Sequence, residues 1–322
     1  MKCSSCGKEN RDNAIFCENC GVFVIDPVRL DDHRLDEPKR AIRSAIMART
    51  STDRLLDPWW VIVALVVSIG GYVIGYTILI AAFWSSEFTV FSSSTAFIAV
   101  TAAIYGGQVT SLVIFTILAY YLVKREGDHA WREWRLRQGV MSLVSAAAGS
   151  QKRQYWIGRE MGAMSYSNQV EKHRNPLLWS FFIAMPLLLY TLSILGTVVA
   201  FSDTSGIEWF FIGFSILALI LGISSFILEI YLLYFLSKDI GLHHARWNSF
   251  AYNSRIALSR MGFPPGKPFM GRWLPERSMV LYIILGVLVP PFLIFWWWTV
   301  LKDPNEHYKA QWEYEDNILS VL

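Results

Sequence analysis

Hydrophobic positions in this chain fall into long unbroken runs. Four of them, at 59–84, 95–123, 177–201 and 209–237, are rich in Ile, Leu, Val, Phe and Gly. A fifth covers 279–301. None alternates polar and apolar residues, as barrel strands would, and each exceeds the ~20 residues a helix needs to cross a bilayer core. From Pro58 to Val123 the only acidic or basic residue is Glu87. The pattern predicts an all-α polytopic membrane protein, with four transmembrane helices as two hairpins and a fifth segment that is re-entrant or spanning.

Composition agrees: 53% of residues are hydrophobic, 17% are charged, and mean hydropathy is +0.34, which excludes a mainly soluble chain. Residues 1–57 are polar and lack a basic stretch before an apolar core, so no secretory leader is expected.

The basic residues give an orientation. All 29 Lys and Arg lie before the first run, between Lys124 and Arg174, between Lys238 and Arg277, or in the tail at Lys302 and Lys309. The short loops 85–94 and 202–208 carry none, only Glu87, Asp203 and Glu208. By the positive-inside rule the N-terminus and both long loops face the cytosol. Lys39, Arg40, Arg43 and Arg49 flank Ile42, Ile46 and Met47 just before the first run. That spacing is expected of a basic interfacial helix lying on anionic lipid. The interleaved Asp31, Asp32, Asp36 and Glu37 argue against a nucleic-acid arm.

All four cysteines lie in the first twenty residues, as Cys3-x2-Cys6 and Cys17-x2-Cys20. Each pair can bring two sulfurs to one tetrahedral ion from a single tight turn. Gly7 and Gly21 follow the pairs, where a knuckle favours a residue tolerant of positive φ. Phe16 is placed to cover the site. So small a module needs a staple, and the metal supplies its folding energy. The pattern Cys3–Gly7 with Ala14-x-Phe16-Cys17-x2-Cys20-Gly21 resembles the short zinc ribbons that open many archaeal and bacterial membrane proteins. One structural zinc per chain is expected, held by Cys3, Cys6, Cys17 and Cys20. Four thiolates close its coordination shell, which excludes a hydrolytic role.

A motif recurs behind the apolar runs. Leu122-x-Lys124-x2-Gly127-x-His129-x2-Arg132 is matched by Leu236-x-Lys238-x2-Gly241-x-His243-x2-Arg246. Tyr76-Thr77 matches Tyr190-Thr191 at the same offset, and Asp57-Pro58 and Asn175-Pro176 open the two hairpins. After the fifth run the motif returns in part as Lys302-Asp303-x3-His307, with Trp312 where the first copy has Trp134. The chain reads as two hairpin units and a shortened third. In each, the lysine sits at the interface, the glycine permits a turn, and His and Arg share one face of a following amphipathic helix, at 128–148 and 242–261. Bracing between units, or a lipid-headgroup or partner site, fits these residues. A metal or catalytic role is weighed down because no carboxylate recurs with the histidines.

The stretch from Leu281 to Asp316 resembles a family of prokaryotic membrane domains of unknown function that often follow zinc ribbons. The resemblance rests on Trp296–Trp298, Lys302, Asn305-Glu306-His307 and Glu315-Asp316. It implies a membrane location and no particular activity.

Within the bilayer, Glu229 lies about 13 Å deep by the helical rise. Such a residue is a functional candidate by default. It can be protonated and bonded to Tyr231 or to another helix, or it can line a polar path. Gln108 is a second buried polar candidate, Gly71-x3-Gly75 permits close helix approach, and Pro186 and Pro290-Pro291 are expected to kink their segments. The prolines split 279–301 into halves too short to cross alone. A re-entrant hairpin would return the tail to the cytosol, where the motif places it.

These readings divide the chain into a ribbon (1–22), a linker with the basic helix (23–57), a first unit (58–148), a connector (149–175), a second unit (176–262), a loop (263–278) and a third unit with the tail (279–322). The expected function is a non-enzymatic membrane adaptor or scaffold. Its expected contacts are membrane lipids, anionic ones included, and a protein held by the ribbon, with further copies of the chain an open alternative. The rival is a small transporter or channel with Glu229 in its path.

Overall fold

The fold is that of a computed structural model, which describes residues 2–3, 6–11, 17–20, 33–84, 95–148, 157–167, 174–185, 188–189, 208–263, 265 and 274–322. After a 3-10 turn at His33–Leu35 come α1 (Asp36–Met47), α2 (Arg49–Thr52), α3 (Trp59–Trp84), α4 (Thr95–Ala148) and α5 (Gly158–Ser167). They are followed by α6 (Pro176–Met185), α7 (Glu208–Arg260), α8 (Met279–Leu288) and α9 (Phe292–Leu319). Among the described residues the only β feature is an isolated bridge between Lys2 and Glu9.

Three of these helices are long and apolar enough to cross a membrane. In the first, only 22% of the apolar window is buried inside the protein, so most of its Val, Ile and Trp surface is left for lipid. The expected fourth span enters as α6, and apart from residues 188–189 the rest of it, with Pro186, lies outside the described residues. So do the loops 85–94 and 202–207.

Small residues let α3 and α4 touch. A Cβ on Gly71 would stand 2.6 Å from the Ala103 carbonyl oxygen, and one on Gly107 2.9 Å from that of Val67. The Gly71-x3-Gly75 face therefore meets α4 backbone to backbone, as the spacing predicts.

The glycine turns expected at Gly127 and Gly241 do not form. α4 runs through the first for 54 residues and α7 through the second for 53. An interior glycine costs a helix only about 1 kcal/mol, and no proline follows to stop it. Each helix therefore carries its transmembrane half straight into an extramembrane half.

The two halves have separate cores. Within the membrane half, Leu118, Leu122, Leu232, Leu236, Trp296 and Leu301 pack together. Beyond it, Val140 and Val144 of α4, Trp247 and Phe250 of α7 and Tyr314 of α9 form a second core with Ile42 and Ile46 of α1. That contact corrects the reading of α1 as a lipid-bound helix. Ile42 and Ile46 are fully buried, and Ile42 sits over Gly139 of α4, where a Cβ would stand 2.9 Å from it. Protein thus covers Ile42 and Ile46, while Met47 stays exposed.

The fifth apolar run is two helices. α8 ends at Leu288, and α9 starts after Pro290-Pro291, whose second proline sets its first turn. Tyr282 of α8 meets Phe292 and Trp296 of α9 at ring-centroid distances of 5.0 and 5.4 Å. The two helices therefore fold back on one another. The end of α9 lies beside the segment that precedes α3: Trp312 donates to Asp53 at 2.8 Å, and Arg49 to Asp316 at 2.7 Å. The C-terminal tail and residues 49–56 thus share one side.

Candidate metal centres

The ribbon's turn geometry follows its glycine. Gly7 adopts φ +73° with open space around it, and its N–H donates to the Cys3 carbonyl at 2.9 Å. Asn10 joins the two knuckles, donating to the Lys8 carbonyl and accepting from the Glu18 N–H, each at 2.9 Å. The sulfurs then converge: Cys3 Sγ lies 3.6 Å from Cys20 Sγ, and Cys6 Sγ 3.4 Å from Cys17 Sγ. A tetrahedral zinc with Zn–S of about 2.3 Å separates its sulfurs by about 3.8 Å, so the donor set fits. Burial pushes the Cys17 thiol up, but N–H groups of Cys20 and Asn19 outweigh it and bring the thiol to about 6. The Lys8 N–H lowers Cys6. Thiolates are the form a metal binds. Gly21 and Phe16 lie outside the described residues.

A second cluster forms between the two helical cores, and it gathers the three histidines of the motif. His129 Nε2 lies 3.1 Å from His243 Nε2, and the rings of both face His307, at centroid distances of 5.4 and 4.8 Å. Glu133 completes the group, its Oε2 2.8 Å from His243 Nε2 and 3.3 Å from His129 Nε2. One ligand atom from each of these four residues falls within 4.8 Å of all the others. All four residues are buried, none more than 4% exposed.

Each member is held from behind. His129 Nδ1 donates to Asp53 Oδ1 at 2.9 Å. Asp53 also accepts two bonds from Arg132, at 3.0 and 2.7 Å, and one from Trp312. Arg132 reaches on to Glu315 Oε1 at 2.6 Å, and the Gln311 amide donates to the same oxygen. Arg137 bonds Glu133 Oε1. His307 Nδ1 meets His244 Nδ1 at 3.0 Å, and His244 Nε2 meets the Asn248 amide at 3.0 Å.

Burial disfavours the charged form at three of the imidazoles. Burial holds His129 down to about 4 against the pull of Asp53. Burial also holds His307 well below the usual histidine range, and His244 at about 4. Burial alone would raise Asp53, but His129, Arg132 and the Trp312 N–H hold its carboxyl well below the usual carboxylate range. Since that carboxylate can only accept, the His129 proton sits on Nδ1 and the Nε2 lone pair points into the cluster.

Neighbouring bonds fix the third helix. Pro304 has no N–H, which frees the Val300 carbonyl one turn back. Arg125 fills that gap, bonding the Val300 carbonyl at 3.0 Å, the Leu301 carbonyl at 3.2 Å and the Asn305 side chain at 2.9 Å. Asn305 in turn clasps the backbone of Leu56. The segment that precedes α3 is thereby locked to α4 and α9 close to His307.

The motif's lysines stay apart from this centre. Lys124 pairs with Asp128 at 3.2 Å, Lys238 donates to Tyr234 at 3.1 Å, and Lys302 is exposed. Arg132 is buried in the carboxylate network, whereas Arg246 is half-buried. Asp53 and Glu133 supply the histidines with carboxylate partners that the motif itself does not carry. Neither recurs at the motif's offset, where Ser167 and Trp247 stand instead. Glu133 was visible as the residue four after His129, on the same helical face; Asp53 and His244 carried no comparable signal.

The intramembrane candidates are also separate. Glu229 accepts from Trp297 Nε1 of α9 at 2.6 Å, while Tyr231 is exposed and packs on Trp179 and Phe235 instead. Gln108 is half-buried rather than buried and bonds Tyr72 of α3. The two polar groups are engaged on different helix pairs.

Comparison with known proteins matches a zinc-ribbon domain to residues 2–21. No curated protein and no solved structure matches the chain. With four close cysteines in that domain, the chain is a helical membrane protein carrying one structural zinc in an N-terminal zinc ribbon.

Proposed function

We infer that the protein is a non-enzymatic multi-pass adaptor of the cell membrane, with its N-terminus and tail in the cytosol, that presents the zinc ribbon to a protein partner. The observation that carries this reading is the extramembrane core. α4, α7 and α9 continue past the bilayer and close with α1 and α5 on a packed interior, a platform far larger than anchoring requires. The ribbon precedes that platform, and its Cys6, Glu18 and Asn19 are exposed. The basic residues favour a cytosolic platform, and Lys238 and Lys302, exposed at the ends of their apolar runs, suit contact with anionic headgroups. A transporter reading gains nothing from Glu229 and Gln108, whose side chains are each bonded within separate helix contacts.

The test is a photoreactive residue placed at Glu18 in living cells. One dominant cross-linked protein, lost on Cys17→Ser, is the expected result. Cross-links that ignore Cys17→Ser would sink the adaptor reading, as would ion flux in proteoliposomes that Glu229→Gln abolishes. A cysteine at Ser320 should resist an impermeant reagent in intact cells.

A further inference from the structure

The buried histidine cluster has a feature that packing does not account for. Glu133 Oε2 lies close to two imidazole nitrogens, yet makes a hydrogen bond to neither. His307 Nε2 is likewise buried with no hydrogen-bond partner. Unpartnered buried polar atoms are costly, and two that face the same point call for something between them. The His129 Nε2 lone pair is aimed at the same place, because its other nitrogen donates to Asp53. A carboxylate oxygen and an imidazole lone pair 3.3 Å apart repel one another unless a cation lies between them.

We propose that His129, His243 and His307, with Glu133, bind one divalent transition-metal ion of the zinc class, which ties α4, α7 and α9 together just outside the bilayer. The donor chemistry is three imidazoles and one carboxylate, a set that suits borderline first-row ions and not calcium or magnesium. Tetrahedral Zn–N and Zn–O bonds of about 2.0–2.1 Å separate ligand atoms by about 3.3 Å. The three spacings among His129, His243 and Glu133 are 3.1, 3.3 and 2.8 Å.

The surroundings are those of a metal site. A metal-bound histidine donates its other N–H to a carboxylate or comparable acceptor, which sets its tautomer and orientation. His129 has Asp53, itself fixed by Arg132 and Trp312. His307 has His244, backed by Asn248. A half-turn of the Asn248 amide puts its otherwise unpartnered Oδ1 on His244 Nε2–H. His244 Nδ1 then accepts from His307 Nδ1–H, and the His307 Nε2 lone pair faces the ion. Glu133 presents one oxygen while Arg137 holds the other. Four protein ligands, all buried, fill a tetrahedral shell, so the ion is a cross-link between helices. The inference does not depend on the adaptor reading.

The experiment is metal analysis of the full-length chain purified in detergent, with zinc as the probe. The intact protein should hold two zinc ions per chain. Cys6→Ser/Cys17→Ser should hold one, His243→Ala should hold one, and the combined variant none. One zinc in the intact protein and none in the cysteine variant would overturn the proposal. Because His243→Ala can fail for reasons of packing, the cysteine variant is also stripped and titrated with zinc. Its melting temperature should rise and saturate at one equivalent, and Glu133→Gln should weaken the binding by at least tenfold. Cobalt in the same variant should give d–d bands of a nitrogen and oxygen tetrahedron without the thiolate charge-transfer band of the ribbon. Absence of saturable binding, or a cobalt spectrum that keeps the thiolate band, would refute it.

Discussion

The ribbon and the histidine centre place four side chains each around a point, but they are built on different scales. In the ribbon the ligands lie within 18 residues, Cys3 to Cys20, and two short knuckles create the geometry. In the centre, His129 and His307 are separated by 178 positions, and three long helices must pack before any two ligands meet. The first is a local structure with little to stabilise it except its metal. The second is a product of the whole extramembrane core, sited where two apolar layers meet and backed by a charged network. Local ligands make a site that can fold and unfold alone; distributed ligands make one that stands or falls with the body.

That difference predicts separable responses. The largest belongs to the ribbon. Cys17→Ser, or chelation, should unfold residues 2–20 outright, since a structural zinc contributes on the order of 10 kcal/mol to so small a module. Hydrogen exchange should show this loss while amides of α4 and α7 keep their protection. Concerted loss in both regions would break the distinction.

Arg132→Met comes next. It leaves Asp53 and Glu315 as buried carboxylates without their common partner, which should cost about 3–5 kcal/mol by thermal or denaturant unfolding in detergent. The ribbon's zinc content should not change. If Arg132→Met costs under about 1 kcal/mol, the network does not hold the body together.

Within the membrane half the effects shrink. Glu229→Leu strands the Trp297 N–H and should cost about 1–3 kcal/mol, whereas Glu229→Gln keeps an acceptor and should cost about 1 kcal/mol at most. Equal losses from both substitutions would point to a charge-dependent role for Glu229 that the Trp297 bond does not explain. Smallest of all is Lys124→Ala, which removes a half-exposed pair with Asp128 and should change stability by about 0.5 kcal/mol or less. A larger loss would tie the motif's lysine to the centre after all.

How much was legible in the sequence follows from the same division. The apolar runs, the break at Pro290-Pro291 and the Gly71-x3-Gly75 contact could be read because bilayer thickness, proline chemistry and side-chain size act on neighbouring residues. The turns assigned to Gly127 and Gly241 could not be judged so, since one glycine lowers helix stability by less than packing on both sides restores. α1 shows the same limit from another direction: its basic, amphipathic stripe fits lipid or protein equally well, and only the reach of α4 selects protein.

By itself the sequence determined the membrane helices and the zinc ribbon, and it singled out His129, His243 and His307 by their spacing from a lysine. Only the tertiary structure decided that these histidines meet, that Glu133 and Asp53 serve them, and that the lysines do not. The reason is physical. A bilayer and a metal knuckle impose constraints over a few turns of chain, which leave a periodic trace. A centre assembled from three helices constrains positions far apart in the sequence, and its single-copy carboxylates leave no repeat to read.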